Sequence, residues 1–197
     1  MSQGMEALSN TDLLGLLVGS KTAEWMIKAA EGSLFRLLNG PMPVCDAPAR
    51  SKAKLQVAKE LVRRSLAESM GYRDALSSPA IVRDYLRMTL AGREYEVFMV
   101  LFLDAQNRVI SPEEMFRGTL TQTSVYPREV VKRSLANNAA AVIFAHNHPS
   151  GVAEPSRADE LLTQSLKQAL ALVDVRVLDH FVVAGNGVMS FAERGLL

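Results

Sequence analysis

The strongest limit on the fold is Val97 to Leu103, an unbroken apolar row rich in valine and phenylalanine. Such a row reads as a strand covered on both faces. Asp104 to Asn107 supplies a turn and Arg108-Val109-Ile110 the returning strand. Pro127 to about Asn137 then reads as a helix, Ala139 to Phe144 as a strand, and Ser156 to about Leu172 as a helix. Val175 to Val183 and Val188 to Phe191 read as strands joined at Gly185-Asn186-Gly187. Strands alternating with helices predict an α/β layered domain.

The preceding half has another period. From Leu8 to about Met70, apolar residues recur at helical intervals: Leu13, Leu14, Leu16 and Leu17, then Leu34, Leu37 and Leu38, then Leu55, Ala58, Leu61, Val62 and Leu66. Asn10 or Thr11 can cap the first helix and Ser51 the last, with Gly40-Pro41-Met42-Pro43 breaking the pattern between them. The pattern relaxes from Gly71 to Pro79. There Ser78-Pro79 reads as a cap and first-turn proline, opening a helix with Ile81, Tyr85 and Met88 on one face. We therefore expect a small all-helical domain over residues 1–75 and an α/β domain over residues 76–197.

A hydrophobic fraction of 48% over 197 residues is ample for buried cores. A net charge of +1 supplies no global attraction to nucleic acid, so any DNA contact has to be local. A single cysteine excludes an internal disulfide framework. No charged and apolar signal segment opens the chain, and no apolar run approaches bilayer length. The expectation is a soluble cytoplasmic protein with no membrane partner.

Two of the three histidines lie in His146-Asn147-His148, and the downstream residues Pro149, Ser156 and Asp159 complete the pattern H-x-H-P-x6-S-x2-D. Histidines separated by one residue project to the same side of an extended backbone, so both imidazoles can reach one ion. Asp159, in the first turn of the next helix, is placed to add a carboxylate. Two neutral nitrogens and one carboxylate oxygen make the ligand set of a catalytic zinc, with a fourth position for water. Cys45 lies far upstream in a different kind of sequence and is not counted among the ligands. Ser156-Arg157-Ala158-Asp159 is equally an S-x-x-D capping box, and spacing alone does not separate the two readings of Asp159.

This pattern resembles the JAMM (JAB/MPN) metalloprotease motif, whose members include deubiquitinating isopeptidases. The run Ala145 to Gly151, with Pro155-Ser156, Arg108-Val109-Ile110, Gly118-Thr119-Leu120, Pro127-Arg128-Glu129 and Leu178-Asp179-His180, is similar to the bacterial RadC family, long labelled DNA repair proteins. The resemblance covers about residues 76 to 197. It implies a cytidine-deaminase-like JAB/MPN domain, a central mixed sheet with flanking helices, in which His146, His148 and Asp159 hold Zn2+. The implied activity is hydrolysis of a protein or peptide substrate. Ser156 would donate a hydrogen bond to the developing oxyanion, or simply cap the helix. The implied general base is a glutamate upstream of the buried strand. The offset to Phe98 and Leu103 in RadC-like sequences selects Glu96, while Glu94 falls on the same face two residues earlier. No ligand role attaches to His180, read as a hydrogen-bonded, partly buried residue. RadC-like sequences usually carry histidine where this chain has Tyr126.

RadC-like proteins also carry an N-terminal helix-hairpin-helix whose glycine turn contacts DNA phosphate. Here that region is degenerate: Cys45 to Lys52 stands where the turn should be, with no glycine between Gly40 and Gly71. Arg50, Lys52, Lys54, Lys59, Arg63 and Arg64 form a local basic cluster with Glu60 among them. The alternative function is therefore a DNA-binding repair or recombination accessory in which the metal is structural or vestigial.

Overall fold

The computed structural model describes residues 4–40, 46–118 and 124–197. Pro41-Met42-Pro43, Cys45 and Thr119-Leu120 lie outside the described residues. Two compact units are present, Met1–Arg64 and Ser65–Leu197.

The first unit is helical, with α1 (Asn10–Val18), α2 (Ser20–Ala29), α3 (Leu34–Asn39) and the start of α4 (Ala49–Tyr72). The cap of α1 is Ser9 rather than Asn10 or Thr11, its hydroxyl accepting the Asp12 N–H at 3.1 Å. Nor does Ser51 cap α4. The helix starts two residues earlier, and the Ser51 hydroxyl donates to the Val18 carbonyl at 3.3 Å. Leu14, Val18, Met26, Leu37 and Leu55 form the core of this unit, whereas Leu13, Leu16, Leu61 and Val62 are exposed. With no Gly or Pro after Pro48 until Gly71, α4 runs unbroken past Arg64, the last residue of the first unit.

The second unit continues with α5 (Pro79–Leu90), β1 (Val97–Leu103), β2 (Val109–Arg117), α6 (Pro127–Ala136), β3 (Ala141–Asn147), α7 (Arg157–Ala171), β4 (Arg176–Ala184) and β5 (Gly187–Ser190). Among the described residues these strands form one mixed sheet in the order β2-β1-β3-β4-β5. The β3–β4 pair is parallel and its neighbours are antiparallel. Every residue of β1 is buried, as its apolar row requires. Phe98, Val100 and Phe102 of β1 pack with Val142 and Phe144 of β3 beneath Val130 of α6 and Leu166 and Leu170 of α7. The opposite face meets α5, whose Arg83 guanidinium lies 5.6 Å from the ring of Phe181. The inward face of α5 is Val82, Tyr85, Leu86 and Thr89. Ile81 and Met88 flank it only partly buried, because a 3.6-residue period carries the stripe one position further on.

A bulge in β4 sets the direction in which His180 points. Val142 pairs with Val177, but the next residue, Ile143, pairs with Asp179, so Leu178 is an extra residue in β4. Strict alternation from Val177 would turn His180 toward the α5 face. The inserted residue turns it instead to the face of Phe144 and α7. Among the described residues, no helix is long and apolar enough to cross a membrane.

Candidate metal centre

The last residues of β3 and the first turn of α7 meet at the carboxyl end of the parallel β3–β4 pair, where ligands of α/β sheets commonly bind. His146 and His148 share one face because β3 remains extended through them, with the His148 N–H donating to the Val183 carbonyl at 2.9 Å. Their Nε2 atoms stand 2.9 Å apart. Asp159 closes the group, with Oδ1 3.4 Å from His146 Nε2 and Oδ2 3.5 Å from His148 Nε2. Among the described residues these three are the group of His, Cys, Asp or Glu side chains close enough to share an ion.

Each partner is held from behind. The turn Pro149-Ser150-Gly151 folds the chain back, the Gly151 N–H donating to the His148 carbonyl at 3.1 Å and Gly151 taking φ +82°, which favours glycine. That turn sets the Val152 carbonyl 2.9 Å from His148 Nδ1. A carbonyl only accepts, so Nδ1 carries a proton, and in the neutral ring the lone pair of Nε2 faces Asp159 and His146. Behind His146, Nδ1 lies 2.8 Å from Nε2 of His180, whose Nδ1 lies 2.7 Å from Thr163 Oγ1. His180 is fully rather than partly buried, stacked on Phe191 with ring centroids 4.7 Å apart.

The capping box and the approach of Asp159 to both imidazoles coexist. Oδ2 accepts the Ser156 N–H at 2.7 Å and the Ser156 hydroxyl at 2.6 Å, and the Asp159 N–H donates back to Ser156 Oγ at 3.2 Å. Oδ1 is left facing His146. The Ser156 hydroxyl is thus engaged in the cap. Burial pushes the Asp159 carboxyl up, but the imidazoles of His146 and His148 outweigh it and hold the carboxyl far below the usual range. The Asp159 contact raises the His148 imidazole, against burial, and the Val152 carbonyl and the charges of Asp159 and Glu96 add to the rise. Burial holds the His180 imidazole well below its ordinary value, the neighbouring imidazoles of His146 and His148 acting in the same sense and Asp159 against it.

Glu96 directly precedes β1. Its carbonyl accepts the Gly118 N–H at 2.9 Å, so pairing with the β2 side continues through it, and alternation from Phe98 puts its side chain on the face of His146. Glu94 and Tyr95 form a bend, so Glu94 does not continue that alternation, and it is exposed. Tyr126, at the N-cap of α6, is exposed with its ring 6.1 Å from that of Phe116.

A tetrahedral zinc with ligands near 2.0–2.1 Å separates its donor atoms by about 3.3 Å. Each imidazole stands close to that distance from one oxygen of the Asp159 carboxylate, His146 from Oδ1 and His148 from Oδ2, and the Nε2 pair is shorter by a few tenths of an ångström. Two ring lone pairs this close repel unless a proton or cation lies between them, and the carboxylate beside them favours either. The donor set therefore fits a divalent cation of the zinc type.

Much of the basic cluster is internally engaged. Glu60 accepts from Arg63 and Arg64, each at 2.8 Å, which pulls its carboxyl down to about 2. Lys54 donates to the Leu17 carbonyl at 2.9 Å.

Sequence reasoning missed the His180–Thr163 pair and the clamp on His148 made by Val152. Leu178-Asp179-His180 stood out as a motif, but which way His180 points depends on the bulge at Leu178.

A family model described as RadC-like JAB domain matches residues 76–196. A UPF0758 protein of Thiobacillus denitrificans is 53% identical over 208 positions, covering 100% of this chain and 93% of the relative. One of Dechloromonas aromatica is 54% identical over 210 positions, with 100% and 93% covered. One of Nitrosomonas eutropha is 68% identical over 145 residues, covering 74% of this chain and 65% of the relative.

Proposed function

The chain belongs to the RadC family, with a JAB-type α/β domain, and on that premise we propose that it is a zinc-dependent hydrolase cleaving peptide or isopeptide bonds. The observation that carries this reading is the convergence of His146 Nε2, His148 Nε2 and one Asp159 carboxylate, with the distal nitrogen of His148 tied to an acceptor that leaves its inner lone pair bare. Three ligands are the catalytic complement, whereas a structural zinc takes four. When bound, such an ion supplies an acidified water and polarises the carbonyl to be attacked.

The chain's own residues do the rest. Glu96 takes the proton of the attacking water as its oxygen bonds to the carbonyl carbon, then delivers that proton to the leaving amine as the C–N bond breaks. The Ser156 hydroxyl turns its one proton from Asp159 Oδ2 to the oxygen that gains negative charge. Asp159 keeps its orientation meanwhile through the Ser156 N–H at 2.7 Å.

Purified full-length protein is expected to hold stoichiometric zinc by elemental analysis and to cut members of a peptide and isopeptide library, and His148→Ala is expected to lose both. A wild type that holds zinc and cuts nothing overturns the hydrolase reading. Salt-sensitive binding to duplex DNA by that same protein would favour the accessory role instead.

A further inference from the structure

We propose that His180 and Thr163 are a positioning pair that fixes the ring proton of His146 on Nδ1, so that its Nε2 is presented bare to the ion; this rests on the zinc-site reading of His146, His148 and Asp159. Donors and acceptors alternate along a chain of buried groups. Thr163 Oγ1 lies 2.6 Å from the Asp159 carbonyl, four residues back in α7. A carbonyl has no proton to give, so the threonine hydroxyl donates there, the usual back-bond of a helical threonine. Its oxygen is then an acceptor toward His180 Nδ1 at 2.7 Å, which must carry the proton. In the neutral ring Nε2 is consequently bare, and at 2.8 Å from His146 Nδ1 it accepts the proton of that ring. His146 Nε2 is left unprotonated, facing His148 Nε2 and Asp159 Oδ1.

The pair is built into the fold. Thr163 and His180 are both fully buried, so no bulk water offers an alternative partner. Phe98, Phe144 and Phe191 surround the His180 ring with centroids 5.6, 5.8 and 4.7 Å away and hold its plane. His180 faces His146 at all only because Leu178 is inserted into β4. The relay starts at the main chain of Asp159 and ends on His146, tying two ligands together behind the site. His148 reaches the same state by a separate route, the Val152 carbonyl.

The test uses the full chain. Histidine side-chain 15N NMR of the chelator-treated wild type is expected to show Nδ1–H, with Nε2 bare, for both His146 and His180. A wild-type His146 protonated on Nε2 alone overturns the proposal without recourse to any variant. Thr163→Val, which keeps the shape and removes the hydroxyl, is expected to give mixed His146 tautomers and zinc binding weaker by about 10- to 100-fold in competition with a chromophoric chelator. Thr163→Ser is expected to restore both. Folded Thr163→Val with wild-type zinc affinity and a single Nδ1–H tautomer at His146 also overturns the proposal. If wild type and His148→Ala bind zinc equally poorly, the metal-site reading fails, while the tautomer spectra of the metal-free protein still decide whether the pair orders His146.

Discussion

Asn147 grips Val97: its Oδ1 accepts the Val97 N–H at 2.8 Å, while its Nδ2 donates to the Tyr95 carbonyl at 3.0 Å. The middle residue of the histidine triplet thus points away from the ion site and ties β3 to the main chain on both sides of Glu96. Asn147→Ala leaves a buried N–H and a carbonyl without their partner, each costing about 1–3 kcal/mol. Urea unfolding is expected to show a loss of about 2–4 kcal/mol. A loss under about 0.5 kcal/mol would mean that water replaces the amide without penalty.

The same clamp bears on which glutamate would serve as the proposed base. Glu96 continues the alternation of β1 onto the face of His146, and its charge acts on His148, whereas the bend at Glu94-Tyr95 takes Glu94 out of that alternation. Glu96→Gln is expected to retain zinc and lower kcat by roughly 100- to 10,000-fold, the usual reach of general acid–base catalysis. Glu94→Gln should turn over within about twofold of wild type. The assignment is reversed if the two variants exchange these outcomes, with zinc content showing that neither effect comes from a lost ion.

Protonation of His148 links stability to pH with a definite sign. Contact with Asp159 raises the imidazole above its ordinary 6.5 in the metal-free protein. Its contribution to stability is therefore full below that ordinary value and is lost as pH rises through the raised one. Asp159, held far below 3.8, is ionised throughout the neutral range and adds no slope there. Zinc needs the neutral ring, so its stabilising increment runs the other way and grows with pH. Thermal melts of chelator-treated wild type and His148→Gln at about pH 6 and 8.5 should show the difference between them shrinking at the higher pH, while zinc raises the wild-type Tm more there. A difference that grows with pH in chelator contradicts the assignment.

What could be read from the sequence divides by the range of the forces involved. The seven buried residues of β1 and the shared face of His146 and His148 follow from local pattern, because alternation and burial are properties of a single strand. The place of Asp159 was half legible: S-x-x-D fits a capping box and a ligand alike, and only the arrival of β3 beside α7 shows that the capping carboxylate also lies against both imidazoles. The orientation of His180 was hidden, because the extra residue at Leu178 is defined by pairing with β3 and leaves no trace in the period of β4. In the first unit, Leu61 and Val62 fit a helical stripe yet are exposed, since periodicity marks an apolar face without saying what covers it.

Gly151 separates conformational strain from steric clash at the site. Its φ of +82° lies in the left-handed region, yet a Cβ there meets nothing within 4 Å. Alanine at this position is disfavoured by backbone conformation alone, by about 1–2 kcal/mol. Asparagine tolerates left-handed backbone better and should cost less. Relaxing the strain would swing the Val152 carbonyl away from His148 Nδ1, removing the acceptor that holds the ring proton away from the ion. Gly151→Ala is therefore expected to lose zinc affinity as well as about 1 kcal/mol of stability, and Gly151→Asn to lose less of each, measured by chelator competition and urea unfolding on the same preparations. If Gly151→Ala unfolds at lower urea with zinc affinity unchanged, His148 is oriented by the β3–β4 pairing alone, and the turn serves only to reverse the chain.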